Sequence, residues 1–218
     1  VLFVGAGPGA FIGLVAVFIL AWASTRVGYR RKQEQGTAEG KAGRKASQVL
    51  ANLSVAAGCA VLRFAHSRVI VSGVIASILG ASDAVASSLE IFSLGMVAAF
   101  AEAAADTVSS ELGQIQRRAR LITTWRMVPP GTDGGVSPLG TLAGVFSAAL
   151  VAGTCFLVRL VPSRGAVIAI VAATIGMLAD SLLGALFERR GVLNNDAVNF
   201  LGTLIAAGVA IFYASFCG

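Results

Sequence analysis

The chain has 218 residues, of which 56% are hydrophobic and 13% charged, with a mean hydropathy of +0.81. A soluble domain carries roughly 25% charged residues, so a water-soluble globular fold is excluded and a polytopic membrane protein is expected. The net charge of +6 is unevenly placed, and the bilayer rather than nucleic acid is the partner it suits.

Taken in chain order, six apolar runs are long enough to approach the ~20 residues a transmembrane helix needs: 3–23, 49–64, 88–105, 139–159, 165–187 and 197–216. The first has no basic residue before its apolar core, so it does not read as a cleavable signal; the chain starts at Val1, and a native segment upstream of it is expected. Residues 69–82 form a seventh apolar run. Counting it as a full span would put 25–48 and 106–138 on opposite faces, against the charge distribution. Arg26, Arg30, Arg31, Lys32, Lys41, Arg44 and Lys45 fall in 25–48; Arg117, Arg118, Arg120 and Arg126 fall in 106–138; Arg189 and Arg190 follow 165–187. The positive-inside rule assigns all three clusters to the cytoplasm. Segment 69–87 is therefore read as a re-entrant or interfacial helix. The expectation is an all-α polytopic membrane protein, a single integral membrane domain over 1–218 with about six transmembrane helices and cytoplasmic loops 25–48, 106–138 and 188–196. The long loops read as too short to fold alone. Cys59, Cys155 and Cys217 sit in apolar runs without CxxC spacing and read as small buried hydrophobes. His66 has no assigned role.

Polar residues gather where those spans end. Glu102, Asp106, Ser109, Ser110 and Glu111 close the third run, and three- and four-residue spacings align the first four on one helix face. Asp180-Ser181-x-x-Gly184 lies inside the run 165–187, where a carboxylate is a site hypothesis by default. Asn194-Asn195-Asp196-x-x-Asn199 opens the last run; one of its asparagines can cap the helix, while Asn195 and Asn199 fall on one face. Between the third and fourth runs, Gly131-Thr132-Asp133-Gly134-Gly135 is a loop whose N–H groups can converge on an anion. Carboxylates at a bilayer edge with basic loops around them suit a divalent cation and, through it, phosphate groups.

These residues also carry a family resemblance. Thr25-Arg26-x-Gly28 with Arg31-Lys32, Gly36-x-Ala38-Glu39, Gly43-Arg44, Gln48-Val49-Leu50-Ala51-Asn52, Ala105-Asp106-Thr107-x-Ser109-Ser110-Glu111-x-Gly113, Leu121-Ile122-Thr123-Thr124, Val128-Pro129-x-Gly131-Thr132-x-Gly134-Gly135-Val136-Ser137, Asp180-Ser181-x-x-Gly184-Ala185 and Asn194-Asn195-Asp196-x-Val198-Asn199 follow in order. The chain from Thr25 onward resembles the integral-membrane family that includes the plant phytyl-phosphate kinases of tocopherol synthesis. It is more distantly similar to polyprenol kinases and phosphatidate cytidylyltransferases. Many members carry Trp where Val108 stands, and Glu102 is outside the family pattern.

The resemblance implies a Mg²⁺-dependent kinase that takes a phosphoryl group from a nucleoside triphosphate, with CTP expected, to an isoprenyl monophosphate. Asp106, Glu111, Asp180 and Asp196 are then expected as catalytic metal ligands. Arg26, Lys32, Arg44, Thr124 and the Gly131, Thr132 and Gly134 loop would hold phosphates, with Asn52, Asn195 and Asn199 orienting them. The small residues Ala98, Ala99, Ala103 and Ala104 either leave a groove for the isoprenyl tail or pack tightly against neighbouring helices. Location follows as a prokaryotic inner membrane, or a chloroplast envelope in a plant or alga. A cytidylyl transfer giving a CDP-lipid would use the same groups. A transporter with Asp180 and Glu102 as a relay would call for inverted repeats, and the sequence has none.

Overall fold

The structure, a computed structural model, describes residues 1–38, 45–71, 82–116 and 118–217, with the backbone alone described at 69–71, 82–88 and 217. The elements are α1 (Leu2–Arg26), α2 (Tyr29–Glu34), α3 (Ala46–Val71), α4 (Ser82–Gly113), strands β1 (Ala119–Leu121), β2 (Met127–Val128) and β3 (Gly135–Val136), then α5 (Pro138–Leu157), α6 (Ser163–Leu186), a 3₁₀ turn at Glu188–Arg190, and α7 (Asn195–Cys217). Among the described residues, six helices are long and apolar enough to cross a membrane, and each overlaps one of the runs expected from sequence. The re-entrant or interfacial helix expected over 69–87 falls mainly on residues 72–81, outside the described residues; on its flanks, 69–71 and 82–87 continue α3 and α4.

The spans are not equivalent. In the window Leu89–Gly113 of α4, 83% of residues are buried, against 28–39% in the other five spans. A helix apolar on every side belongs in the middle of a bundle, and α4 meets that condition with small residues. Met96, Val97, Ala98, Ala99, Phe100, Ala101, Ala103, Ala104 and Ala105 are all 0–2% exposed. Small side chains let the backbones of surrounding helices approach closely, which is how helices associate where lipid removes the hydrophobic drive. The outer helices turn Phe11, Phe18, Trp22, Phe146 and Phe212 outward. The alanines of α4 thus settle the alternative left open by sequence: Ala98, Ala99, Ala103 and Ala104 pack tightly and leave no groove.

The loops are more ordered than expected. Residues 106–113 complete the last turns of α4, and a small antiparallel sheet follows with strand order β2-β1-β3. Its register pairs Ala119 with Val128, Arg120 with both Met127 and Val136, and Leu121 with Gly135. Strands of two or three residues are shorter than any period-two pattern can reveal. What holds them is tertiary: Gly134 lies against α6 so closely that a Cβ there would sit 2.4 Å from the Ala185 Cβ. Gly134 also has φ of +73°, a conformation that favours glycine. At the other strand's end Ser137 caps α5, its hydroxyl accepting from the Gly140 N–H at 3.2 Å.

Candidate functional site

The C-terminal ends of α4 and α6, the N-terminal end of α7 and the sheet loop enclose a polar cavity of about 210 Å³. Asp106, Ser109, Ser110 and Gln114 line it from α4 and the residue after it, Asp180, Ser181 and Gly184 from α6, Glu188 from the 3₁₀ turn, Asn195 and Asn199 from α7, and Thr132 and Asp133 from the loop. A second cavity of about 250 Å³ shares Asp106, Ser110, Gln114, Asn195 and Asn199, and adds Thr37, Gln48, Asn52, Thr107 and Glu111. Small-molecule sites usually start near ~300 Å³; the shared wall makes the two cavities one basin of that order. The segments 25–48, 106–138 and 188–196 all contribute, so they meet at one end of the bundle, as their shared charge implied.

Asp106 and Asp180, expected as ligands, are brought together as lining residues of the same cavity. Asp180 keeps its Oδ2 buried with no hydrogen-bond partner among the described residues. Below them, one helical turn deeper on α4, Glu102 is 1% exposed, and both of its carboxylate oxygens lack a partner among the described residues. It fits because Gly176 and Gly202 face it. A Cβ at Gly202 would lie 2.5 Å from Glu102 Oε1 and 3.3 Å from Asp180 Oδ2, and one at Gly176 would lie 2.7 Å from Glu102 Cγ. The two glycines therefore make room for two adjoining carboxylates in the middle of the bundle. At the rim, Asn195 and Glu188 line the first cavity together. Asn195 Oδ1 accepts from Asn199 Nδ2 and Gln48 Nε2, each at 3.5 Å. Asn194, not Asn195, caps α7, accepting from the Ala197 N–H at 2.9 Å.

Other expected ligands are placed differently. Glu111 lines the second cavity but forms an ion pair with Lys32. The Lys32 ammonium also donates to the Ser24 and Thr25 carbonyls at 3.2 and 2.8 Å. Its three donors are thereby used, and Lys32, 0% exposed, ties α2 to the C-terminal end of α1. Arg26 is exposed and stacks over the Trp22 ring at 3.8 Å. Thr124 is exposed in the β1–β2 turn. Neither Arg26, Thr124 nor Asp196 lines either cavity. Asn52 is buried and lines the second. Gly131, Thr132 and Gly134 line the first, but the Thr132 and Gly135 N–H groups bond back to the Pro129 and Thr132 carbonyls, so the loop's visible role is to close against α6. Arg44 and Lys41 lie outside the described residues.

Glu188 was not singled out from sequence. Its signal was present: Asp180, Gly184 and Glu188 recur every four residues, one stripe that continues past the end of α6. Asp133 had a weaker one, as the lone acid inside a glycine loop.

Residues 1–207 match the family model described as integral membrane protein DUF92. The chain belongs to this family. The resemblance carried by the motif blocks is borne out with it, and so is the integral membrane location. Among similar proteins, Protein VTE6, chloroplastic, of Arabidopsis thaliana is 35% identical over 215 residues, covering 96% of this chain and 60% of that protein. Uncharacterized membrane protein sll0875 of Synechocystis is 30% identical over 212 residues, covering 94% of this chain and 74% of that one. Uncharacterized membrane protein MJ0933 of Methanocaldococcus jannaschii is 42% identical over 126 residues, or 55% and 51% of the two chains. The chain thus spans 60% of the plant relative's length. No solved structure matches it.

Proposed function

We propose that this DUF92 protein transfers a phosphoryl group from a nucleoside triphosphate, CTP in our reading, to an isoprenyl monophosphate, giving the diphosphate. One observation carries the reading beyond the family resemblance. The basin is lined by Asp106, Asp180, Glu188 and Asp133 with hydroxyls and amides, and no lysine or arginine among the described residues lines either cavity. Four acids in one basin repel phosphates, and a divalent cation bound among them would offset that repulsion. Among the described residues no three His, Cys, Asp or Glu side chains form a ready metal cage. That donor set suits Mg²⁺, which keeps several waters and takes one or two carboxylates plus substrate phosphates.

Asp106 and Asp180 would hold Mg²⁺. Bound there, it would supply positive charge to the phosphate oxygens as charge shifts during transfer. The remaining work is positioning. Asn195 and Asn199, one turn apart on α7, present amides to the shared wall of the two cavities, and Ser110 and Gln114 face them from α4 and the residue after it. The acceptor phosphate is anionic near neutral pH and needs no general base, in keeping with the lack of any histidine lining the basin. An isoprenyl monophosphate suits the location, because its chain dissolves in the bilayer while its phosphate reaches the ends of the spans.

The test is purified protein with labelled CTP or ATP and a panel of isoprenyl monophosphates, the products being separated as diphosphate or CDP-linked lipid. The proposal expects the diphosphate; a CDP-linked product would move the attack to the α-phosphorus. Asp106→Asn should keep the fold and lower the rate by more than ~100-fold, as when a principal charge-stabilising contact is removed. Near-normal rates in that variant would remove Asp106 from the metal set.

A further inference from the structure

A third cavity, about 780 Å³, lies on the other face of the small sheet, between it and the start of α5. Trp125, Met127, Val136 and Leu142 make its apolar wall, and Arg118 and Arg120 stand at its edge. The period of two along a strand explains the placement. Ala119 and Gly135 turn toward the acidic basin, whereas Arg120 and Val136, paired across β1 and β3, turn toward the groove. Ser137 borders both cavities. The sheet is thus a thin partition with a phosphate-suited chamber on one side and an apolar groove on the other, joined at its edge.

We propose that this groove holds the isoprenyl chain of the acceptor, with the chain crossing the partition at Ser137 so that its phosphate enters the basin. The assignment rests on the kinase reading for the identity of the acceptor. Four observations favour this occupant. The α4 route is closed, since the alanines at 98–104 are at most 2% exposed. Continuity with the basin is direct through Ser137, whereas the cavity beside Arg63 and Arg159 at the opposite end shares no lining residue with it. The walls are open to an apolar chain: Trp125, Met127 and Leu142 are 64%, 57% and 71% exposed. Charge agrees with shape. Arg118 and Arg120 are held along the groove edge, Arg118 against the Met127 sulfur at 3.9 Å and Arg120 donating to the Trp125 carbonyl at 3.1 Å, where they attract an anionic headgroup toward the crossing point.

The experiment uses the full chain in lipid nanodiscs and photoreactive C20 and C5 isoprenyl monophosphates, without nucleotide. The C20 probe is expected to label residues 125–127 and 141–142, and unlabelled C20 monophosphate is expected to compete. In turnover, Leu142→Trp should raise the KM for the C20 substrate at least about tenfold, because several buried methylenes lose their place. Its KM for the C5 substrate should stay within about twofold, and Trp125→Ala, at an exposed position, should shift the same ratio in the same direction. Labelling of the groove without turnover would uphold the groove and sink the kinase reading. Turnover with labels elsewhere and an unchanged C20/C5 ratio in both variants would sink the groove and leave the kinase reading intact. Labelling that C20 monophosphate does not displace would make the groove a bilayer-facing or self-association surface, and would also overturn the proposal.

Discussion

At the corner where α2 meets α4, Glu111 is buried beside a fully buried Lys32, and the lysine's remaining donors go to two backbone carbonyls. Five residues earlier on the same helix, Asp106 faces Asp180 with Glu102 beneath them, and no lysine or arginine among the described residues lines that space. Both regions bury acid near a bilayer edge, where each uncompensated charge costs several kcal/mol. In the first, the compensation is built into the chain. In the second, Asp106, Asp180, Glu188 and Asp133 line one cavity, and the proposed Mg²⁺ would offset part of their charge while gathering phosphates. The difference separates a joint that fastens α2 to α1 and α4 from the chamber proposed to take the phosphates.

If the corner is a joint, breaking it should cost stability before anything else. Lys32→Ala leaves Glu111 buried and unpaired, a change that typically destabilises by about 3–5 kcal/mol, and the thermal midpoint in detergent should fall accordingly. A Lys32→Met, Glu111→Leu pair should recover most of that loss and keep catalysis, since neither residue is a ligand in this account. Loss of turnover in the stable double variant would return Glu111 to the metal set.

A change on the chamber side that touches no acid should have a smaller effect. Gly134→Ala places a Cβ against Ala185 and onto a left-handed backbone, strain of about 1–3 kcal/mol. The loop should lift from α6, kcat/KM should fall by about tenfold, and the midpoint should fall by less than in Lys32→Ala. An unaffected kcat/KM would show that the loop does not shape the chamber.

Smallest are the changes at residues that read as phosphate or metal ligands in sequence and lie outside the basin. Arg26→Ala removes an exposed cation–π contact worth about 0.5–1 kcal/mol, and Asp196→Asn alters a residue that lines neither cavity. Nucleotide KM should stay within about twofold in both variants. A tenfold rise in either would mean the basin extends further than its present walls.

Much of the fold was legible because lipid imposes a coarse rule that a sequence cannot hide: each span needs a long apolar run, and basic clusters mark its flanks. Asp106, Asp180, Asn195 and Asn199 were legible for the converse reason, as polar groups placed in or at the ends of such runs. Lys32 was not. It is one of a run of basic residues from Arg30 to Lys32, and nothing in that run says which side chain will turn inward and meet an acid 79 residues away. Glu188 was overlooked because it sits past the apolar run beside Arg189 and Arg190, where charge is ordinary. The sheet was hidden because its strands are too short for a pattern and depend on docking against Ala185.

The central claim is that Asp106 and Asp180 hold a cation for the phosphates. Thermal midpoints measured against rising Mg²⁺, with a non-hydrolysable CTP analogue present, test it without relying on turnover. Binding to the folded state stabilises by about 2.7 kcal/mol at a hundred times the dissociation constant. The wild type and the Lys32→Met, Glu111→Leu pair should both gain stability with Mg²⁺, while Asp106→Asn and Asp180→Asn should gain little or none. A wild-type gain in both asparagine variants would contradict the account.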